Sequence, residues 1–190
     1  ASAPASAPVP ASIAAGDGTA VPNTHDFGCL WASVPTAEEA VSLTSQLPAL
    51  DVCYGGETYS NYCCTVAHGS PHFTALFAGR SSVSSADEQP VDLVAVDCEM
   101  VMTEAGSELA RLSVVDQSAR VLLDVYVQPE LPVVDYVTQY SGITSAILAS
   151  PNTLTLQQAR IAFLRIVTER TLVAGHSVDS DMKALKIMHN

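Results

Sequence analysis

Apolar residues in the second half of the chain form short runs and alternations that predict three consecutive β-strands. The run at 93–97 opens with four apolar residues and predicts a buried strand. A turn is predicted at 103–107, and two further strands at 109–115 and 121–127 flank a turn at 116–118. Strands joined by such short connections pair in antiparallel fashion, so the pattern predicts a three-stranded meander.

Helical spacing of apolar residues follows the meander. An amphipathic helix is predicted over 156–168 with Thr155 as a cap, after an irregular or short helical passage at 136–149. A short buried strand at 171–174 and a second helix from 178 to the end of the chain come next. The order of three strands, helix, strand and helix predicts a mixed α/β domain and the start of a ribonuclease-H-like arrangement.

The front of the chain has a different composition. Residues 1–24 are mostly Ala, Pro, Ser and Gly, which bury too little apolar surface to offset the entropy of ordering, so we expect a disordered tail. A short helix is predicted over 36–46, with Thr36 and Glu39 forming a capping box. The predicted divisions are a tail at 1–24, a small Cys- and His-containing segment at 25–80, a polar linker at 81–90 and an α/β domain at 91–190.

The charge of the chain argues against a protein that grips nucleic acid by bulk attraction. The formal net charge is −12, and all eight Lys and Arg residues lie at or after Arg80. An acidic domain can still bind a polyanion through metal ions. No apolar run is long enough to span a membrane and no secretory leader pattern is present, so we expect neither membrane contact nor secretion.

Two carboxylates, Asp97 and Glu99, follow the apolar start of the first predicted strand. Strand side chains alternate between faces, so both acids point one way while Cys98 points the other way. Acids held side by side repel each other and lose hydration, and Mg²⁺ or Mn²⁺ would relieve both effects because these ions prefer carboxylate oxygen. The alternative is a pair at a solvated strand end that has no function.

A third carboxylate lies on the last predicted helix. Asp179 and Asp181 are both near its N-terminus, where the helix dipole favours negative charge. Residues two apart on a helix face different directions, and Asp181 lies on the inward face with Leu185 while Asp179 should point toward solvent. Two strand acids and a helix acid around one cavity would hold the two ions of phosphodiester hydrolysis roughly 4 Å apart.

The cysteines of the front segment permit two interpretations. The chain has five cysteines, an odd number that indicates reduced thiols rather than a disulfide framework. The candidate zinc ligands are Cys53, Cys63, Cys64, His68 and His72. No Cys-x2-Cys knuckle is present, and adjacent cysteines rarely bind one ion. The alternative is an irregular segment with reduced thiols and surface histidines.

Four segments, VAVDCEMV, ELARLSVVD, VDYVTQYSGIT and LVAGHSVDSDMKALKIMH, follow one another over about residues 91–189. In order and spacing they resemble the motifs of the DEDDh-type 3′→5′ exonucleases. More narrowly, the chain resembles the Rex-type RNA exonucleases and the related interferon-stimulated exonuclease. In the front part, GGETY and YCC are loosely similar to the Cys-rich region that precedes the exonuclease domain in some Rex-type proteins.

The resemblance implies roles for particular residues. Asp97 and Glu99 would belong to the first motif and Asp181 to the second, and together they would bind two Mg²⁺ or Mn²⁺. Met100 would lie beside the terminal nucleotide. The other implied substrate-binding residues are Ser141, Gly142, Ile143 and His176. Gln139 stands where the family usually carries an arginine, which removes a phosphate or base contact.

The family's third motif, with a histidine base and a fourth metal-binding aspartate, should follow the last residue given. We therefore expect a domain that is incomplete at its C-terminal end. His176 is expected to be structural, and His189 belongs to the second motif's helix and is not expected to be the base. These 190 residues alone should be weakly active or inactive, since a positioned base contributes roughly 10²–10⁴-fold.

As to function, the resemblance implies a metal-dependent 3′→5′ exoribonuclease that acts in RNA processing or decay. Its partner would be the single-stranded 3′ end of RNA, and its products nucleoside 5′-monophosphates. A nuclear or nucleolar location and protein partners bound through the N-terminal segment are also implied. The alternative is a catalytically inactive exonuclease-like scaffold or binding subunit in a larger assembly.

Overall fold

The computed structural model describes residues 34–47, 49–54, 57–67, 70–76 and 91–189, which contain six helices and eight strands. The helices are α1 (Ala37–Gln46), α2 (Pro71–Leu76), α3 (Thr138–Ser141), α4 (Ser145–Leu148), α5 (Leu156–Leu164) and α6 (Val178–Leu185). The strands are β1 (Ala49–Tyr54), β2 (Glu57–Cys64), β3 (Leu93–Thr103), β4 (Gly106–Asp116), β5 (Val121–Tyr126), β6 (Val133–Asp135), β7 (Leu172–Ala174) and β8 (Ile187–Met188).

The larger sheet is built around β3. One edge of β3 pairs with β4 in antiparallel fashion over nearly its whole length, and β4 pairs with β5 in the same way, which gives the predicted meander. The other edge pairs with β7, in parallel, at residues 93–95 and with β6, antiparallel, at 102–103. The order β5-β4-β3-β7, with the fourth strand parallel to the first of the meander, is that of a ribonuclease-H-like sheet, which confirms the predicted fold class.

The two faces of β3 are covered differently. Val94, Val96 and Cys98 point into the main hydrophobic core, which they share with residues of α5 and α6 such as Phe163 and Leu185. Along the strand these buried positions alternate with Ala95 and Asp97, which are exposed. The face of β3 that carries the acidic pair is therefore open over the first half of the strand.

A second, smaller cluster covers that face further along. Val101 of β3 packs there with Ala110 of β4, and Ile143 and Leu148 from the passage of α3 and α4 close the cluster. The change of covered face coincides with an irregularity in the β3–β4 register between Glu99 and Met100. The passage of α3 and α4 is thereby fixed next to the half of β3 that carries Glu99.

The front elements pack on the same core as the sheet. Ala40 of α1 and Cys63 of β2 belong to the main cluster. The β1–β2 hairpin continues through β2 into β8, where Cys63 pairs with Ile187 in parallel. The side chain of Arg165 also reaches from beyond α5 to the carbonyl oxygen of Leu76 at the end of α2, at 2.7 Å. The described part of the Cys-containing segment thus shares a sheet and a core with the end of the chain.

The start of α1 follows the predicted capping box. Thr36 Oγ1 accepts a hydrogen bond from the backbone N–H of Glu39 at 3.2 Å, and Glu39 Oε2 accepts one from the backbone N–H of Thr36 at 2.8 Å. Two of the N–H groups that a helix start leaves without partners are satisfied in this way. The prediction of this cap is confirmed.

Several element boundaries differ from the predictions. The first strand of the meander, β3, continues to Thr103, and a two-residue turn connects it to β4. The short strand β6 was not predicted. The long amphipathic helix ends at Leu164 rather than at 168. The last helix ends at Leu185, because Lys186 takes a left-handed conformation (φ +53°) and Ile187 is buried as part of β8. Pairing with the distant strand β2 ends this helix, and no local pattern carries that information.

Some predictions fall on residues that the structure does not describe, namely the tail at 1–24 and the linker at 81–90. Within the described ranges, no helix combines the length and apolar character needed to cross a membrane.

Gly175 brings α6 close to β3. It lies between β7 and α6, and a Cβ atom at this position would stand 2.7 Å from the carbonyl oxygen of Val96, a backbone atom that cannot easily move away. Ser177, two residues later, has φ +57° and begins the helix without a side-chain cap. The turn therefore depends on a glycine for close approach, rather than for a left-handed backbone.

We expect Gly175→Ala to lower the free energy of unfolding by about 1–3 kcal/mol, because the added methyl group forces the turn away from β3. Urea unfolding followed by circular dichroism measures the change. Ala174→Ser is the control, since it adds one atom at an exposed neighbouring position and should change stability by less than about 0.5 kcal/mol. Equal stability of the Gly175→Ala protein and the wild type would contradict the close contact.

Candidate active site

Asp97 and Glu99 lie side by side on one face of β3, opposite to the face that buries Val96 and Cys98. Asp97 is exposed and Glu99 is half-buried. The predicted strand end at 97 is wrong, because β3 continues through both acids to Thr103. The edge of β3 is nevertheless open here, since among the described strands β7 pairs only with 93–95 and β6 only with 102–103.

Asp181 reaches this open edge from α6. Its side chain is buried, and Oδ1 accepts a hydrogen bond from the backbone N–H of Cys98 at 3.1 Å. Left without an acceptor, a buried N–H of this kind costs about 1–3 kcal/mol. Because Cys98 lies between Asp97 and Glu99, the bond brings the helix acid next to the strand acids. We call Asp97, Glu99 and Asp181 the carboxylate cluster.

The two acidic residues of α6 point in different directions, as predicted. Asp181 is 4% exposed, whereas Asp179 is exposed and stands 3.9 Å from Lys183 Nζ one turn further on. A contact of this length at the surface contributes little to stability. Asp179 therefore lies outside the carboxylate cluster and offers a matched acidic control on the same helix.

Burial and mutual repulsion raise the pKa of two members of the cluster. For Glu99, burial raises the pKa most, the charge of Asp97 raises it further, and Arg111 works in the opposite direction. For Asp181, burial raises the pKa, the hydrogen bonds from Cys98 lower it, and the charge of Asp97 raises it again. The net upward direction for both means that the surroundings do not fully compensate the negative charge of the cluster.

Arg111 is a member of the site that the sequence did not reveal. It lies on β4 directly across from Glu99. Its Nε and Nη2 donate to the two carboxylate oxygens of Asp124, both at 2.8 Å, and its guanidinium lies 5.6 Å from the ring centroid of Tyr126. These contacts hold the cation in place beside Glu99. The only signal that could have found it is the β3–β4 register, which the bulge after Glu99 makes hard to infer.

The cluster fits a hard divalent cation by its chemistry. It offers only carboxylate oxygens, the ligands that Mg²⁺ and Mn²⁺ prefer, and its raised pKa values indicate uncompensated charge. In the described part of the chain, no three Asp, Glu, His or Cys side chains stand close enough to hold an ion as they are. Asp97 is exposed, so packing does not fix its side chain in one rotamer.

Met100 lies on the opposite face of β3 from Asp97 and Glu99. It lines a groove of about 690 Å³, together with Ser180 and Lys183 of α6. The groove runs along the side of the sheet on which α6 packs. Contact between Met100 and a terminal nucleotide stays a prediction.

The implied substrate residues of the α3–α4 passage are mostly engaged within the protein. Ser141 Oγ donates to the carbonyl oxygen of Tyr136 at 2.8 Å and accepts from the N–H of Ile143 at 3.0 Å, and Ile143 is buried in the second cluster. Gly142 is exposed at φ +68°, a conformation that favours glycine. His176 is exposed in the turn before α6. RNA contact by these four residues stays a prediction.

The candidate zinc ligands are only partly described. Cys63 is buried and Cys64 half-buried, and both are free thiols on adjacent positions of a strand, so their side chains point to opposite faces. His72 is exposed, while His68 and the side chain of Cys53 lie outside the described residues. Zinc binding therefore stays a prediction.

Two other residues with reactive side chains have structural roles. Burial and the neighbouring Asp181 raise the pKa of the Cys98 thiol far above its ordinary value, so it stays protonated and unreactive. His189 Nε2 lies 2.8 Å from the carbonyl oxygen of Thr171, and Nδ1 lies 3.2 Å from Thr65 Oγ1. The expectation that His189 is not the base agrees with these contacts, which occupy both ring nitrogens.

The relatives found by comparison with known proteins bear the names of exonucleases. No family model matches the chain. It is 33% identical over 153 residues to the human protein named "Putative exonuclease GOR", with 72% of this chain and 22% of the relative covered. It is 41% identical over 106 residues to the human RNA exonuclease 1 homolog, with 56% of this chain and 8% of the relative covered. The chain thus spans less than a quarter of the length of either relative.

Among solved structures, the Pan2 catalytic unit of Neurospora crassa, with its protease and nuclease domain, gives a TM-score of 0.49 at 26% identity. The match covers 56% of this chain and 19% of that one. This similarity is too low to assign a fold, which rests instead on the strand order of the larger sheet.

The strand order and the carboxylate cluster define a ribonuclease-H-like domain of the kind found in exonucleases. The names of the relatives narrow this class to RNA exonucleases and confirm the resemblance seen in the motifs. The relatives are named as exonucleases, and the chain resembles the Rex-type RNA exonucleases of the DEDDh class.

We expect Asp181→Asn to stabilise the metal-free protein at neutral pH. The raised pKa of Asp181 means that the folded state holds the proton more tightly than the unfolded state. Its contribution to stability is therefore present below the ordinary carboxyl pKa of about 4 and is lost as pH rises through the folded pKa. The gain from the substitution should grow between acidic and neutral pH, as measured by urea unfolding in EDTA.

Asp181→Ala is the matched control for this prediction. An Asn side chain retains an oxygen acceptor for the N–H of Cys98, whereas Ala leaves that donor buried and unpaired. The Ala protein should be less stable than the Asn protein by about 1–3 kcal/mol. A gain that is the same at acidic and neutral pH would show that the charge of Asp181 is not the cause.

Proposed function

We propose that Asp97, Glu99 and Asp181 bind two Mg²⁺ or Mn²⁺ ions, and that the protein uses this site to hydrolyse RNA from its 3′ end. The products would be nucleoside 5′-monophosphates. The observation that carries the proposal is the Cys98–Asp181 hydrogen bond, which holds a helix carboxylate next to two strand carboxylates. The name RNA exonuclease, which relatives of this chain bear, supports RNA as the substrate class.

In this proposal the chain's own residues would bind the metal ions and hold the ligand side chains in position. Asp181 has one oxygen occupied by the N–H of Cys98, so its second oxygen is oriented for a ligand. Arg111, held by Asp124, limits the repulsion felt by Glu99. Bound divalent ions would supply an activated water and stabilise the leaving oxygen. The open face of β3 that carries Asp97 would give an RNA end access to this position.

Zinc binding at the front segment is a separate part of this proposal. Metal analysis of purified protein, with and without the Cys64→Ser substitution, tests it. Stoichiometric zinc that is lost in the variant would support a structural site. Absence of zinc from the wild type would leave the reduced-thiol interpretation.

We expect Asp97→Asn to abolish metal-stimulated RNA decay by the full-length protein. Loss of a residue that only supports a ligand costs about 10–100-fold, so loss of a ligand should cost at least about 100-fold in rate. Decay of a 5′-labelled single-stranded RNA measures it, and chromatography identifies the products. A 3′-blocked RNA tests the polarity.

Asp179→Asn is the matched control, because it removes the same charge from the exposed face of α6. Its rate should stay within about twofold of the wild type, as expected for a surface charge. Undiminished decay by the Asp97→Asn protein would overturn the proposed site. Binding of Mn²⁺ by the wild type without turnover on any RNA would favour the inactive scaffold instead.

A further inference from the structure

A cavity of about 240 Å³ lies between the front elements and α5, and no member of the carboxylate cluster lines it. It is large enough for several waters, since the liquid volume of one water is about 30 Å³. Polar side chains contributed by distant parts of the sequence converge on it. These are Thr44, Asn61, Tyr62, Gln157, Arg160 and Lys186. We call it the Arg160 cavity.

Two polar atoms in the walls of the Arg160 cavity lack hydrogen-bond partners among the described residues. Arg160 is 5% exposed, yet no described residue accepts a hydrogen bond from its buried Nε. Thr44 Oγ1 lines the same cavity and is likewise buried without a partner in the described part of the chain. Among the described residues, the ion pairs do not include Arg160. A buried N–H of a guanidinium without an acceptor is costly, and the cavity beside it has room for one.

The charge of the cavity walls favours an anion. Arg160 and Lys186 contribute two positive charges, and Glu130 contributes one negative charge. Lys186 Nζ pairs with Glu130 Oε2 at 3.1 Å, so among the described wall residues the charge of Arg160 has no counterion. The phenol of Tyr62 is also affected: burial raises its pKa and the charge of Arg160 works against this, which indicates that the guanidinium lies near this wall.

We propose that the Arg160 cavity binds a phosphate group, with Arg160 as its main ligand and Thr44 and Lys186 as further donors. Arginine presents parallel N–H donors that match phosphate oxygens, and a threonine hydroxyl can donate to a third. The phosphate comes from an RNA strand or from free phosphate. The site is separate from the carboxylate cluster and needs no metal ion, so it goes beyond the proposed hydrolysis.

The shape of the neighbouring surface supports an RNA strand as one source. Glu130 and Lys186 line both the Arg160 cavity and the groove of about 690 Å³ that Met100 lines. The two spaces therefore adjoin at this ion pair. An RNA strand that runs along the groove would bring a phosphate to Arg160 without contacting the open face of β3.

Binding is tested on the full-length protein in EDTA, where metal-dependent hydrolysis is absent. Inorganic phosphate should raise the melting temperature above that in sodium chloride of equal ionic strength, because a ligand of the folded state stabilises it. Fluorescence anisotropy of a 5′-labelled oligoribonucleotide, with phosphate as competitor, gives the second measurement. Arg160→Gln should weaken binding by at least about tenfold.

The control for charge alone is Arg120→Gln, which removes one positive charge from an exposed side chain in the β4–β5 turn. It should leave both measurements unchanged. Because Arg160 is buried, its variant is compared with the wild type only where circular dichroism shows the native spectrum. Lys186→Gln and Thr44→Val provide the same test at less buried positions, and each should weaken binding about threefold to tenfold.

The outcomes separate the sources of the phosphate. Binding of both probes, with loss in the Arg160 or Lys186 variants, supports a general phosphate site. Binding of the oligoribonucleotide alone, with the same loss, supports a site for the RNA backbone. Binding of neither probe by the wild type, or equal binding by all cavity variants, overturns the proposal. Because EDTA is present throughout, these outcomes do not depend on whether the carboxylate cluster is catalytic.

Discussion

The hydrogen bond from the N–H of Cys98 to Asp181 is the contact on which the site depends. A strand in the middle of a sheet normally satisfies both of its edges with neighbouring strands. Between β6 and β7, however, the edge of β3 has no strand partner among the described residues, and a side chain from α6 takes that place. The close approach of Gly175 to Val96 makes this possible, because it brings the start of α6 against the edge.

The site buries a negative charge that the hydrogen bond from Cys98 does not require. The acceptor for the N–H of Cys98 need not be charged, and an amide oxygen in place of Asp181 would serve the same backbone group. Instead the chain buries a carboxylate beside Asp97 and Glu99, and the pKa values of Asp181 and Glu99 are raised as a result. Unfavourable charge held in a fixed position is typical of sites that bind cations or react, where stability is given up for function.

The sequence predicts the parts of this structure that depend on local patterns. The meander, α1 with its cap, and the inward direction of Asp181 follow from alternation, capping chemistry and helical spacing. The parts that were missed depend on contacts between distant segments. Arg111 faces Glu99 only because of a particular register with a bulge, and Ile187 forms a strand only because Cys63 lies beside it. Periodicity reports which face is buried, but not which distant strand covers an edge.

The acidic charge of the chain limits how it can attract a polyanion. Most of the described cations are engaged within the protein. Arg111, Arg120, Lys183 and Lys186 each pair with a carboxylate, and Arg165 donates to a backbone carbonyl. With a net charge of −12, the long-range electrostatic field of the chain would repel RNA rather than concentrate it. Under the proposed function, affinity for RNA would come from short-range contacts, namely cations held by the carboxylate cluster and the guanidinium of Arg160, which forms no ion pair with a described residue.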